Sequence, residues 1–159
     1  MMQLLSNELA VLANTTTREP VVTTRATGTF EVKLKPLAAH DSSEGSPLGR
    51  MSIDKVFTGD LEATSIGEML TAMSPLAGSG AYVAVERVTG MLHGRPGSFL
   101  FHHVGVMTRG APSLNVTVVP DSGTGELSGL TGSMAIIIDG KKHSYEFDYE
   151  RVAREHEPS

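Results

Sequence analysis

The feature that most constrains the fold is a two-residue alternation of apolar and polar side chains that recurs along most of the chain. Residues 27–35, TGTFEVKLK, show it clearly: Phe30, Val32 and Leu34 share one parity, and polar side chains occupy the other. Successive side chains of a β-strand point to opposite faces, so this pattern predicts a strand that is buried on one face.

The same pattern predicts eight strands separated by turns and loops. They are residues 27–35, 50–58, 61–70, 82–94, 97–108, 113–119, 132–138 and 141–149. Tight hairpin turns are expected at Gly59-Asp60, Arg95-Pro96 and Asp139-Gly140. With no convincing long helix, the chain is predicted to be all-β, either a sandwich or a barrel. We favour an eight-stranded antiparallel closed barrel of meander hairpins, because closure removes the exposed edges of long strands.

The last hairpin allows a specific prediction of register and core. A two-residue turn at Asp139-Gly140 pairs Ile136 with His143 and Met134 with Tyr145. One face of the hairpin then carries Met134, Ile136, Ile138, Tyr145, Phe147 and Tyr149, and the other is mixed. Across the whole chain, the side chains expected in the core are Phe30, Phe57, Phe99, Phe101, Phe147 and Met134.

Length and composition bound the class of protein. The 159 residues predict one barrel domain over 23–151, a loosely attached extension over 1–22 and a flexible tail over 152–159. No apolar run approaches the roughly 18 residues of a membrane helix, and a net charge of −5 argues against a broad nucleic-acid surface. The chain has no cysteine, and we expect a cytoplasmic location.

No metal or cofactor is expected from the six histidines. His102 and His103 are adjacent on a predicted strand, so their side chains point to opposite faces and cannot chelate one ion together.

Four segments carry a resemblance to a known family. They are RATGTFEVK (25–33), GRMSIDKVFTGDLEATSIGEML (49–70), YVAVERVTGMLHGRPGSFLFHH (82–103) and VVPDSGTGELSGLTG (118–132), followed by HSYEFDYE (143–150) in the last strand. The chain resembles an uncharacterised bacterial family, a domain of unknown function. The resemblance implies a small antiparallel barrel like that of allene oxide cyclases and dirigent proteins. Barrels of that kind bind apolar small molecules and some guide cyclisation, but a shared fold does not transfer function.

The central hairpin carries the richest set of candidate site residues. A two-residue turn at Arg95-Pro96 or Pro96-Gly97 gives the same partition of faces, and the inward face then holds Tyr82, Glu86, Phe99, Phe101, His103 and Met107. Glu86 and His103 come within reach across two strands. A carboxylate beside an imidazole in an apolar cavity is a candidate acid/base pair or a structural buried pair.

Two further features leave alternatives open. Lys55 shares parity with Ile53 and Phe57, so it points inward as a counter-ion for Glu86 or lies at the barrel rim with its ammonium in water. The glycine-rich segment 120–132 is a turn-rich connection with Glu126 bonded to loop amides, or a lid near the mouth of the site.

These observations predict a protein that binds a small, largely apolar molecule inside the barrel. The expected ligand contacts are Tyr82, Phe99, Phe101, Lys55 and Met107. The alternatives are an isomerase or cyclase, with Glu86 and His103 as catalytic acid and base and Tyr82 as hydrogen-bond donor, and a structural barrel filled by its own side chains.

Association of copies is the expected interaction with other proteins. The outer wall is apolar at Val83, Val85, Leu100, Val104 and Val106, which predicts a homo-oligomer. No nucleic-acid or membrane partner is expected.

Overall fold

The computed structural model describes residues 21–152, and the predicted extension and tail lie largely outside them. The strands are β1 (Thr24–Leu37), β2 (Leu48–Gly59), β3 (Leu61–Met73), β4 (Gly80–Leu92), β5 (Arg95–Thr108), β6 (Ala111–Val118), β7 (Leu130–Asp139) and β8 (Lys142–Arg151). Each strand pairs antiparallel with the next, and β8 closes the barrel against β1. The prediction of an all-β, eight-stranded antiparallel closed barrel is confirmed. A single turn of 3-10 helix, Gly125–Leu127, interrupts the connection between β6 and β7.

The central hairpin turns earlier than the sequence predicted. Leu92 pairs with Arg95, so the two turn residues are His93 and Gly94, and Arg95 and Pro96 belong to β5. Both turn residues have positive φ, 47° and 75°, as a type I′ turn requires. The turn expected at Arg95-Pro96 or Pro96-Gly97 was wrong. Either position shifts the pairing of β4 with β5 by an even number of residues, and an even shift leaves each side chain on the same face. Inward and outward faces were therefore assigned correctly.

The last hairpin shows an error of the same kind. Asp139 pairs with Lys142, so the turn is Gly140-Lys141, and Ile136 lies opposite Tyr145 rather than His143. The register differs by two residues and the predicted faces hold. Ile138, which shares the predicted apolar face, lies at the barrel end and is 65% exposed.

The connection between β2 and β3 is not the expected two-residue turn at Gly59-Asp60. Phe57 pairs with Ala63, a register that such a turn cannot give. Asp60 instead bridges β1 and the β4–β5 turn: its N–H donates to the Thr27 carbonyl at 3.0 Å, and its carbonyl accepts from the His93 N–H at 2.8 Å. This register turns Leu61, Ala63 and Ser65 into the barrel.

Apolar side chains fill one half of the barrel interior, toward the end where β4 meets β5. All six side chains predicted for the core are buried: Phe30, Phe57, Phe99, Phe101, Met134 and Phe147. A second, smaller cluster lies toward the other end and contains Ile53, Met69 and Ala84, with Val32, Met51 and Tyr82 partly buried against it. The two clusters leave the interior filled at one end and more open at the other.

The connection from β6 to β7 plugs the filled end. Leu127 is 2% exposed and joins the larger core cluster. The loop is tied to the start of β5 by hydrogen bonds from the Ser98 N–H to Thr124 Oγ1, at 3.0 Å, and from the Leu100 N–H to Ser122 Oγ, at 3.1 Å. Glu126 is exposed rather than bonded to loop amides. Residues 21–152 contain no helical segment with the length and hydrophobicity of a transmembrane helix.

Candidate functional site

Four polar side chains meet in the barrel interior, one from each of four consecutive strands. Lys55 comes from β2, Ser65 from β3, Glu86 from β4 and His103 from β5, and each is at most 4% exposed. Among residues 21–152 they are the buried polar or charged side chains. A buried polar group is costly unless it is hydrogen-bonded, so their convergence needs a physical account.

The Glu86 carboxylate holds this polar cluster together. Its Oε1 accepts hydrogen bonds from Lys55 Nζ at 2.7 Å and from His103 Nε2 at 2.8 Å. Its Oε2 accepts from Ser65 Oγ at 2.6 Å. The Lys55 ammonium also lies 5.2 Å from the ring centre of Phe30, a cation–π distance. Lys55 is thus the inward counter-ion of Glu86, and the alternative placement at the rim was wrong.

The environment of Glu86 keeps it ionised. Burial alone raises the pKa of this carboxyl. The hydrogen bond from His103, the charge of Lys55 and the hydrogen bonds from Lys55 and Ser65 outweigh that effect and lower the pKa to about 2. At neutral pH Glu86 is therefore a carboxylate that accepts hydrogen bonds.

Strand register explains why these residues meet. Glu86 lies directly opposite Gly67 on β3 and Phe101 on β5, so His103 is its diagonal neighbour. Lys55 lies opposite Ser65 across the β2–β3 pair. The sequence analysis predicted the contact of Glu86 with His103 but missed Ser65. The alternation of Leu61, Ala63 and Met69 with Glu62, Thr64 and Glu68 was the signal that could have placed it inside.

A cavity of about 360 Å³ opens at the end of the barrel opposite the plug. Its lining includes the side chains of Thr71, Met73, Tyr82, Met107, Leu114 and Ile138. We call this cavity the barrel mouth. The glycine-rich loop lies at the other end, so its expected place near the mouth was wrong.

Tyr82 connects the barrel mouth to the polar cluster. Its ring lies over Gly105, where a Cβ atom would clash with it, and its centroid is 6.5 Å from that of the His103 ring. Burial raises the pKa of the Tyr82 hydroxyl, so it is a neutral phenol at neutral pH. Two predicted ligand contacts, Tyr82 and Met107, thus line the mouth.

Phe99 and Phe101 lie elsewhere. They are 1% and 0% exposed, and both pack on Phe147, with ring centroids 5.9 and 5.3 Å away, in the filled half of the barrel. The lining of the mouth does not include them, and their ligand-binding role stays a prediction.

A larger and more polar groove, about 620 Å³, crosses β1, β2 and β3. It borders Lys55 and Ser65, but its lining also carries the charged residues Glu31, Lys33, Asp54 and Lys141. These mixed charges suit an apolar ligand less well than the mouth does. No group of three or more histidine, aspartate or glutamate side chains within the described part of the chain could hold a metal ion.

The fold and the site define a small closed β-barrel with a buried, ion-paired polar cluster below an apolar mouth. The family of proteins of unknown function DUF3224 matches residues 26–149, and the chain belongs to this family. Its barrel is similar to the crystal structure, at 1.84 Å resolution, of a DUF3224 protein of unknown function from Shewanella oneidensis MR-1. The two share 51% sequence identity with a TM-score of 0.76, over 80% of this chain and 97% of that one. No curated protein sequence matches the chain. The further likeness to allene oxide cyclase barrels stays a prediction.

Proposed function

We propose that the chain binds a small, largely apolar molecule in the barrel mouth. The observation that carries this proposal is the cavity of about 360 Å³, whose lining includes Met73, Met107, Leu114 and Ile138. Small-molecule sites are typically concave and mostly apolar, roughly 300–1,000 Å³ in volume, with a few convergent polar groups. Tyr82 is a polar residue of the lining, and the His103 ring lies next to it, with the two ring centroids 6.5 Å apart.

The division of the barrel interior favours binding over a purely structural barrel. Leu127 and the larger core cluster fill one end, while Met107 and Leu114, of inward parity at the other end, are 44% and 41% exposed. Leaving such side chains open to water forfeits the burial free energy that a filled barrel would gain, about 25 cal/mol per Å². An apolar ligand would recover part of it.

Calorimetric titration with a small, largely apolar probe tests the proposal. We expect 2-methoxynaphthalene to bind the wild-type chain with one site per barrel. Leu114→Trp, which fills the mouth, should abolish the heat of binding, whereas Leu37→Trp, on an exposed residue outside the mouth, should leave it unchanged. No saturable binding to the wild type, or equal binding to both variants, would refute the proposal.

Mass spectrometry of the native protein addresses the natural ligand. A freshly purified chain with a bound small molecule should show a mass excess that denaturation removes, and Leu114→Trp should lack it.

Proton transfer to the bound molecule is the second candidate function, favoured by the 2.8 Å contact of Glu86 with His103 beside Tyr82. Because Glu86 is held as a carboxylate, it would orient the imidazole and His103 would carry the proton. An apolar ketone such as 1-tetralone, incubated in D₂O, should then exchange its α-hydrogens for deuterium faster with wild type than with His103→Leu. Equal rates would leave binding without catalysis.

Two other expectations from the sequence are also kept as proposals: association of copies through the outer wall of β4 and β5, and a cytoplasmic location. The first is supported by Val83 and Val104, which lie directly opposite one another and are 50% and 45% exposed. The second is tested by fractionation of cells that produce the chain.

A further inference from the structure

The polar cluster fixes which nitrogen of His103 carries its hydrogen. Glu86 Oε1 already accepts a hydrogen bond from Lys55 Nζ, and a carboxylate has no hydrogen to give. The 2.8 Å contact between Oε1 and His103 Nε2 is therefore a hydrogen bond that Nε2 donates. In the neutral imidazole, the other nitrogen, Nδ1, is then an acceptor.

Within residues 21–152, His103 Nδ1 has no hydrogen-bond partner, since the one bond of the ring is made by Nε2. Every fully buried side-chain nitrogen and oxygen of the described residues does have a partner. Nδ1 therefore still touches accessible space, although the His103 residue as a whole is 2% exposed. The Tyr82 ring, which lines the mouth, is the aromatic neighbour of this imidazole.

We infer that the barrel mouth selects apolar molecules that carry a hydroxyl group, an alcohol or a phenol, and that this hydroxyl donates a hydrogen bond to His103 Nδ1. The inference rests on the proposed function and adds the ligand class to it. A ligand without a donor would cover Nδ1 and leave it unpaired, and unmade hydrogen bonds of buried acceptors are costly.

The Tyr82 hydroxyl does not discriminate in the same way. It can donate or accept, so it serves an ether, a ketone or an alcohol equally. His103 lies behind Tyr82 rather than in the lining of the mouth, and its Nδ1 is the nitrogen whose role the polar cluster fixes as acceptor.

A matched pair of probes tests the ligand class by calorimetry: 2-naphthol and 2-methoxynaphthalene have the same ring system, and the second lacks the donor. The naphthol is the better hydrated of the two, so partition into an apolar cavity alone favours the ether. We expect the wild type to bind 2-naphthol about tenfold more tightly, the ratio given by one net hydrogen bond. His103→Leu should lower this ratio to one or below, and the control Tyr82→Phe should keep it.

The outcomes separate the two claims. If both probes bind the wild type with equal affinity, or the preference survives in His103→Leu, the hydroxyl inference is wrong and the proposed function stands. If neither probe binds, the proposed function fails and the inference falls with it.

A measurement on the wild type covers the case in which His103→Leu does not fold. Nitrogen NMR of the His103 ring should show hydrogen on Nε2 and a bare Nδ1, and 2-naphthol should shift the Nδ1 signal whereas 2-methoxynaphthalene should not. Hydrogen on Nδ1 in the neutral ring, or identical shifts with both probes, would overturn the inference.

Discussion

His103 Nε2 lies 2.8 Å from Glu86 Oε1, diagonally across the β4–β5 pair and sealed from bulk water. The contact lies between the filled half of the barrel and the open mouth at its other end. It also depends on Lys55, which compensates the carboxylate charge from two strands away. The predictions below follow from that arrangement.

Phe101 should be essential to the filled half of the barrel. It is fully buried, and its ring lies 4.9 Å from Phe99 and 5.3 Å from Phe147. Phe101→Ala should lower the free energy of unfolding in urea by about 3–5 kcal/mol, because it leaves a cavity that neighbours cannot fill. Val56→Ala, on an exposed outward residue, should cost less than about 0.5 kcal/mol. A loss below about 1 kcal/mol for Phe101→Ala would contradict the packing described here.

Stability should depend on pH through Glu86. Its pKa is about 2 in the folded chain against an ordinary 4.5, so ionised Glu86 contributes about 3 kcal/mol. A lowered pKa makes this stability complete above about pH 4.5, and it is lost as the pH falls toward 2.

Comparison of Glu86→Gln with the wild type isolates this contribution. The variant should be less stable at pH 7, and its urea midpoint should fall less than that of wild type between pH 5 and pH 3. Glu68→Gln, in the exposed pair with Arg50, is the control and should cost at most about 1 kcal/mol. Parallel pH curves for Glu86→Gln and wild type would show that Glu86 titrates normally.

The Lys55–Glu86 pair should show strong coupling. Lys55→Met leaves a buried carboxylate without its cation and should cost about 3–5 kcal/mol. The double variant Lys55→Met/Glu86→Gln should recover much of that loss, because it removes the uncompensated charge. A double-mutant cycle by urea unfolding measures the coupling, and additive losses would mean that the two groups act independently.

Copies of the chain should associate through the outer wall of β3, β4 and β5. Leu70, Val83 and Val104 lie side by side across these strands and are 55%, 50% and 45% exposed. Sedimentation of the full chain at about 50 μM should detect a dimer or larger oligomer, and Val83→Glu should shift it toward monomer. Val56→Glu, on another wall of the barrel, should not. A wild-type monomer at this concentration would count against the association.

Side-chain parity explains how much of this fold was predictable. A strand face survives any even error in register, so Glu86 and His103 came out together although the turn was assigned to Arg95-Pro96 instead of His93-Gly94. The β2–β3 connection shows the opposite case. Asp60 bridges β1 and the β4–β5 turn through tertiary hydrogen bonds that no local pattern reveals, so Ser65 was missed.

The sequence pattern did not predict which end of the barrel is filled and which is open. Alternation places Phe99, Phe101 and Met107 on one face, but it does not say how far along the barrel the core is filled. That depends on Leu127, which enters from a loop without periodicity. Parity alone also left Lys55 with two placements, and burial against Phe30 and Glu86 decides between them.

A crystal structure of the wild-type chain with 2-naphthol tests the central claim most directly. The account predicts the naphthalene ring in the barrel mouth between Met107 and Leu114, with its hydroxyl oxygen about 2.7–3.2 Å from His103 Nδ1. An empty mouth at saturating naphthol, or a ring bound in the groove beside Lys141, would contradict it.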